Sequence, residues 1–165
     1  MRHLFWKKRL RRYRVCGENG APAGEVCESP RRACDLSLFD AAGKPAGRVR
    51  RDGETLVIED TCAGTFSCPL QYKTDDAGRR VQKTLVRPPM AERVEAKTAF
   101  GDLTVCQTPA RAFLVSRNGQ SAGTVRGLAR GNGSMDLQES LPPGASLVLF
   151  AVCVLLFHDD DIEIV

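Results

Sequence analysis

The sequence predicts an all-β domain, a barrel or a sandwich, whose interior holds one apolar helix. Three observations carry the prediction. A spaced glycine pattern recurs three times, each copy preceded by a short run of alternating apolar and polar residues. The fourteen residues from Ala145 to His158 contain Ser146 as their only polar break before that last histidine. Composition does not shift along the 165 residues as it would between two domains. One domain spanning 1–165 is therefore expected, long enough to bury a substantial core.

The chain opens with "FWKKRL" and "RRYRV". Read as adjacent strands, their two-residue period places Lys7 and Arg9 on the outer face of the first, and Arg12 and Arg14 on the outer face of the second. Leu4, Trp6 and Leu10 then point inward from the first strand, and Tyr13 and Val15 from the second. A helical reading would instead line up Trp6, Leu10 and Tyr13 above a basic face, as in interfacial helices; the turn and strand pattern downstream favours strands. Formal charge is +4, yet the first fourteen residues hold seven Lys and Arg and no acid, so the remainder sums to −3. The basicity is local.

Next come the repeats: "GAPAGEV" from Gly20, "GKPAGRV" from Gly43 and, further on, "GQSAGTV" from Gly119, preceded by "RYRV", "DLSLF" and "AFLV". Each reads as a β-hairpin in which the first glycine supplies positive φ in the turn and the second eases the start of the return strand. A fourth copy, "QYKTDDAGRRVQKTLV", keeps the turn at Asp76 to Gly78 and lacks the second glycine. Many short strands with turns at intervals point to a barrel or sandwich.

The apolar run closes the chain. As a helix, fourteen residues reach only ~21 Å, short of the ~30 Å hydrocarbon layer that ~20 residues cross. It then ends in Asp159, Asp160 and Asp161 with no Lys or Arg beyond, unlike an anchored span. Core is expected, not membrane. A helix apolar on every face must be enclosed by protein. Val148, Val152 and Val154 leave a buried strand open as an alternative, while Pro142 and Pro143 suit a helix start.

Seven cysteines are an odd number, with no Cys-x-x-Cys pair, and the basic N-terminus lacks the long apolar region of a secretory leader. A reducing, cytoplasmic compartment fits, with most cysteines acting as small hydrophobes; a Cys62–Cys68 bridge is the alternative in an oxidising setting. The two histidines, His3 and His158, form no pair at ligand spacing, so no metal site is expected. His158 reads as a helix-end residue whose cationic form the dipole favours. Gly-x-Ser-x-Gly and the phosphate-loop pattern are absent, and the glycine repeats lack the spacing of a dinucleotide fingerprint. Asp159 to Asp161 form an acidic terminus, and Asp75 and Asp76 suit a turn. No catalytic residue and no cofactor are expected.

At "LFWKKRLRRYRVCGENGAPAGEV", followed by "ACDLSLFDAAGKPAGRVRR", the chain resembles the opening of LURP-one-related proteins of the tubby C-terminal-like superfamily, which also contains the phospholipid scramblases. "MDLQESLPPGASLVLFAVCVLLFHDD" is similar to the acidic residue, spacer and apolar helix that close that superfamily. The resemblance covers residues 4–60 and 112–165; Thr61 to Pro109 match only as further strands. It implies a closed antiparallel β-barrel of about twelve strands around a central C-terminal hydrophobic helix. The headgroup-binding Lys and Arg of tubby proteins have no alignable counterpart here. Where scramblases carry a proposed calcium segment this chain has only Asp136 and Glu139, too few for a cage of six to eight oxygens.

These readings combine into one expectation: a non-enzymatic tubby-like barrel, cytoplasmic or peripheral to the membrane, that binds anionic phospholipid headgroups through Lys7, Arg9, Arg12 and Arg14. Each such cation near an anionic surface contributes about 1 kcal/mol. The alternative is a protein-interaction or regulatory module without a lipid ligand, its charged face solvated and guarding the barrel against edge pairing. Phosphates of nucleic acid suit the same cations and are the less expected partner.

Overall fold

The computed structural model describes residues 1–31, 34–61, 64–81 and 90–161, the last three of these as backbone alone. Within them the alternating runs are strands: β1 (Arg2–Arg9), β2 (Arg12–Gly17), β3 (Pro22–Glu28), β4 (Asp35–Phe39), β5 (Pro45–Asp52), β6 (Thr55–Asp60), β7 (Gly64–Tyr72), β8 (Ala91–Thr98), β9 (Gly101–Gln107), β10 (Phe113–Arg117), β11 (Gln120–Arg126) and β12 (Asn132–Leu137). A 3₁₀ turn, Leu128–Arg130, precedes β12, and helix α1 (Ala145–Asp161) follows it. Each strand pairs antiparallel with the next in sequence, and β12 returns to pair with β1, which closes the barrel. Closure removes the open edges on which other chains pair.

Residues Ala145–Asp161 are helical, not the alternative strand, and every residue from Leu147 to Phe157 is buried inside the barrel. An all-apolar cylinder has no face to give to water, and a ring of strands is a container that covers it on all sides. Two of its contacts fix the position of the N-terminal strands. Phe150 packs against Trp6 and Tyr13 with ring centroids 5.2 and 5.4 Å apart, while Trp6 and Tyr13 are themselves 6.0 Å apart. Near its start, buried Ser146 accepts a hydrogen bond from Arg2 Nη1 at 3.3 Å, and Arg2 Nη2 donates to the Leu141 carbonyl at 3.1 Å. A buried hydroxyl needs such a partner, and Arg2 pins α1 to β1 in supplying it.

The repeat is a device for turning the wall. Gly20, Gly43 and Gly119 have φ of 75°, 76° and 77° in the β2–β3, β4–β5 and β10–β11 turns, and Gly78 of the fourth copy has 75°. Each second glycine has a different role from easing a strand start. Just before Gly24, Gly47 and Gly123 an alanine (Ala23, Ala46, Ala122) drops out of register as a β-bulge. The extra residue resets the alternation, so that Val26, Val49 and Val125 point inward, each fully buried. The glycine after the bulge then lets the next strand come close: a Cβ on Gly47 would lie 2.5 Å from the Glu59 carbonyl oxygen.

Candidate functional site

The β1–β2 hairpin is aligned by its ladder. Lys7 stands opposite Arg14, and Arg9 opposite Arg12. Trp6 and Tyr13 fill the inward positions, so all four predicted cations project outward, and all four are exposed. The hairpin thus holds two like-charged pairs at directly opposed positions, an arrangement that costs stability where opposite charges would contribute roughly 0.2–1 kcal/mol. Relief comes from one side only. Glu25 on β3 pairs with Arg14 at 2.9 Å and lies 4.0 Å from Arg12, while Lys7 and Arg9 have no carboxylate partner among the described residues.

Leu10 corrects the expected inward set. Strand β1 stops at Arg9, and Leu10 turns away with φ of 56° and 89% of its surface exposed. The two-residue period ends where the strand ends, so extrapolating it across the turn put Leu10 in the wrong place. The inward phase passes instead through Lys8, at the mouth of the barrel.

That mouth is closed by a polar cluster that sequence reasoning missed. Glu28 Oε1 accepts hydrogen bonds from Tyr13 Oη at 2.7 Å and Lys8 Nζ at 2.8 Å, and lies 3.1 Å from His158 Nε2. The four residues come from β1, β2, β3 and the last turn of α1, so the cluster fastens the helix end to the hairpin. Burial alone would raise the Glu28 pKa, but the bonds with His158, Lys8 and Tyr13 outweigh it and hold the carboxyl down at about 2. The Tyr13 hydroxyl moves upward, first through burial and then through the charged Glu28 it donates to.

A pH dependence follows. Because the folded-state pKa lies below the ordinary value of 4.5, the stabilisation is fully present above about pH 4.5 and is lost as pH falls towards about 2. Glu28→Gln should flatten this acid limb by on the order of 2 kcal/mol, read from urea midpoints between pH 6 and pH 3. An acid limb identical to that of the unmodified protein would remove Glu28 as its source.

Barrel closure adds cations from the far end of the sequence. Asn132 on β12 stands opposite Lys7, and Lys8 N donates to the Gly131 carbonyl at 2.7 Å, which sets the 3₁₀ turn with exposed Arg130 beside the hairpin. Arg111, Arg126 and Arg130 line a cleft there of about 640 Å³, with no acid among the described residues of its wall. On the other flank, Arg11, Arg12, Cys27, Phe39 and Arg48 share a cleft of about 700 Å³ with Glu25 and Asp35; Arg48 Nε donates to Asp35 at 2.7 Å.

No family model and no curated protein matches this chain. Among solved structures it is similar to an X-ray structure of a protein from Arabidopsis thaliana, with 9% identity and a TM-score of 0.44, over 93% of this chain and 88% of that one. That similarity speaks to neither ligand nor activity, so the site is read from its own geometry.

Other residues singled out in the sequence are placed as follows. Asp136 faces His3 across the β1–β12 seam at 2.7 Å. Among the described residues no group of three or more His, Cys, Asp or Glu could hold a metal ion. Cys62 lies outside the described residues, as do the side chains of Asp159, Asp160 and Asp161; Cys68 and Cys153 are buried thiols in the core. No helix among the described residues is long and apolar enough to cross a membrane.

Proposed function

We propose that this protein is a non-enzymatic, tubby-like barrel that binds the surface of anionic membranes through the outer face of its β1–β2 hairpin, with Lys7, Arg9, Arg12 and Arg14 at the lipid phosphates. One observation carries the reading: Lys7 opposes Arg14 and Arg9 opposes Arg12 on a wall whose cations outnumber its acids. A surface selected only for solubility gains more from opposed charges of unlike sign. The ladder fixes the backbone that carries the four cations, so only their side chains have to order against a plane of phosphates. The sequence resemblance to LURP-one-related and tubby proteins points to the same class of ligand, while the choice of these four cations rests on the hairpin alone.

The test exploits the cost of the paired cations. Lys7→Glu with Arg9→Glu creates two cross-strand pairs of opposite charge and should leave melting unchanged or slightly raised. Co-sedimentation with vesicles of phosphatidylserine and phosphatidylcholine should nonetheless fall about 100-fold, and binding of the unmodified protein should weaken as salt shortens the ~10 Å screening length at 0.1 M. Unmodified protein that ignores these vesicles at low salt sinks the proposal.

The protein-interaction module is the second reading, favoured by the cleft that mixes Arg11, Arg12 and Arg48 with Glu25, Asp35 and Phe39. Mixed charge around an aromatic suits a peptide better than a uniformly anionic surface. Failure of vesicle binding would leave this cleft as the site to probe.

A further inference from the structure

The tip of the same hairpin has a composition that headgroup binding alone does not require. Leu10 projects with 89% of its surface exposed, and its neighbours are Arg9, Arg11 and Arg12, all exposed. Its backbone is left-handed, φ 56°, which a branched side chain adopts at a cost of roughly 1–2 kcal/mol. Glycine or asparagine is the ordinary solution at such a position, and a polar residue is the ordinary solution for a surface. The tip is also held stiffly: Arg9 and Arg12 are ladder partners, and the Arg11 carbonyl accepts a hydrogen bond from Glu28 N at 2.8 Å. Phe5, 49% exposed, lies on the outer face of β1 in the same phase as Lys7 and Arg9.

We infer that the β1–β2 tip is a membrane-inserting wedge: Leu10 enters the acyl region of an anionic bilayer while Arg9, Arg11 and Arg12 form a collar at the phosphates. The barrel then docks obliquely on its β1–β2 wall, tip deepest, with Phe5 at the interface. The inference rests on the anionic-membrane reading above and adds depth and orientation to it. Charge complementarity selects the occupant. An apolar point ringed by three cations matches the order of layers at a bilayer surface, phosphate outside and hydrocarbon within, whereas a nucleic-acid backbone offers the phosphates without the apolar layer.

The experiment places a reporter at the tip. The native Trp6 is buried in the core and supplies a constant background, so Leu10→Trp reports the tip's surroundings. With vesicles of phosphatidylserine and phosphatidylcholine carrying brominated acyl chains, its emission should shift to the blue and be quenched. Leu10→Ser, which alters an exposed position and should melt like the unmodified protein, should bind these vesicles about tenfold more weakly. If Leu10→Trp co-sediments with the vesicles yet stays unquenched, and Leu10→Ser binds as tightly as the unmodified chain, the wedge is overturned while headgroup binding stands. Loss of vesicle binding by the unmodified protein overturns both.

Discussion

Val152→Asp should leave no folded protein. Val152 is 3% exposed in the middle of α1, and the barrel wall surrounds that helix on every side. A carboxylate there would sit among apolar side chains, and of the basic groups described at the two ends of α1, Lys8 and His158 are engaged with Glu28 and Arg2 with Ser146 and the Leu141 carbonyl. An isolated buried charge costs several kcal/mol even after relaxation, comparable with the whole stability of a domain of this size. Val152→Ala separates this from simple loss of volume: it removes two methyl groups and should cost about 2 kcal/mol while preserving the fold. Soluble yield and thermal melting by circular dichroism read both. A Val152→Asp protein that melts as the unmodified one does would mean that α1 is not the centre of the barrel.

The second large effect is in the wall. Gly47→Val should destabilise by on the order of 3 kcal/mol or more, and Gly43→Val, four residues away in the same repeat, by only ~1–2 kcal/mol. At Gly43 a Cβ meets nothing within 4 Å, so the penalty is the left-handed backbone alone, φ 76°. At Gly47 the backbone is not left-handed, but a Cβ would lie 2.5 Å from the Glu59 carbonyl oxygen and 3.1 Å from the Asp60 Cα. Both atoms are backbone of β6 and cannot swing aside. The strand must move, and in a closed barrel a displaced strand strains its neighbours. Urea midpoints for the two variants order the penalties. If Gly43→Val proves the more harmful, close strand approach is not the reason for the second glycine.

Period-two alternation was enough to identify the outward face of the hairpin. It assigned Lys7, Arg9, Arg12 and Arg14 to one surface because a pleated strand leaves no other choice. The same rule misplaced Leu10, since nothing in "KKRLRRY" marks the turn: no glycine, asparagine or proline stands there. The Glu28 cluster was out of reach for another reason. Lys8, Tyr13, Glu28 and His158 have no common spacing, and they meet only because a helix inside a barrel brings its last turn to the wall.

By itself the sequence determined the class of the fold and its punctuation. An apolar run too short to span a bilayer and apolar on every side demands a container, and glycines at fixed intervals mark the hairpins that build one. The tertiary structure decided what those local rules cannot see. The bulges at Ala23, Ala46 and Ala122 depend on pairing with a second strand. Arg130 comes beside Lys8 only when β12 closes on β1. Local pattern records how each residue meets solvent or core along its own strand. Which strands become neighbours, and which charges therefore share a surface, is settled by the closure of the whole ring.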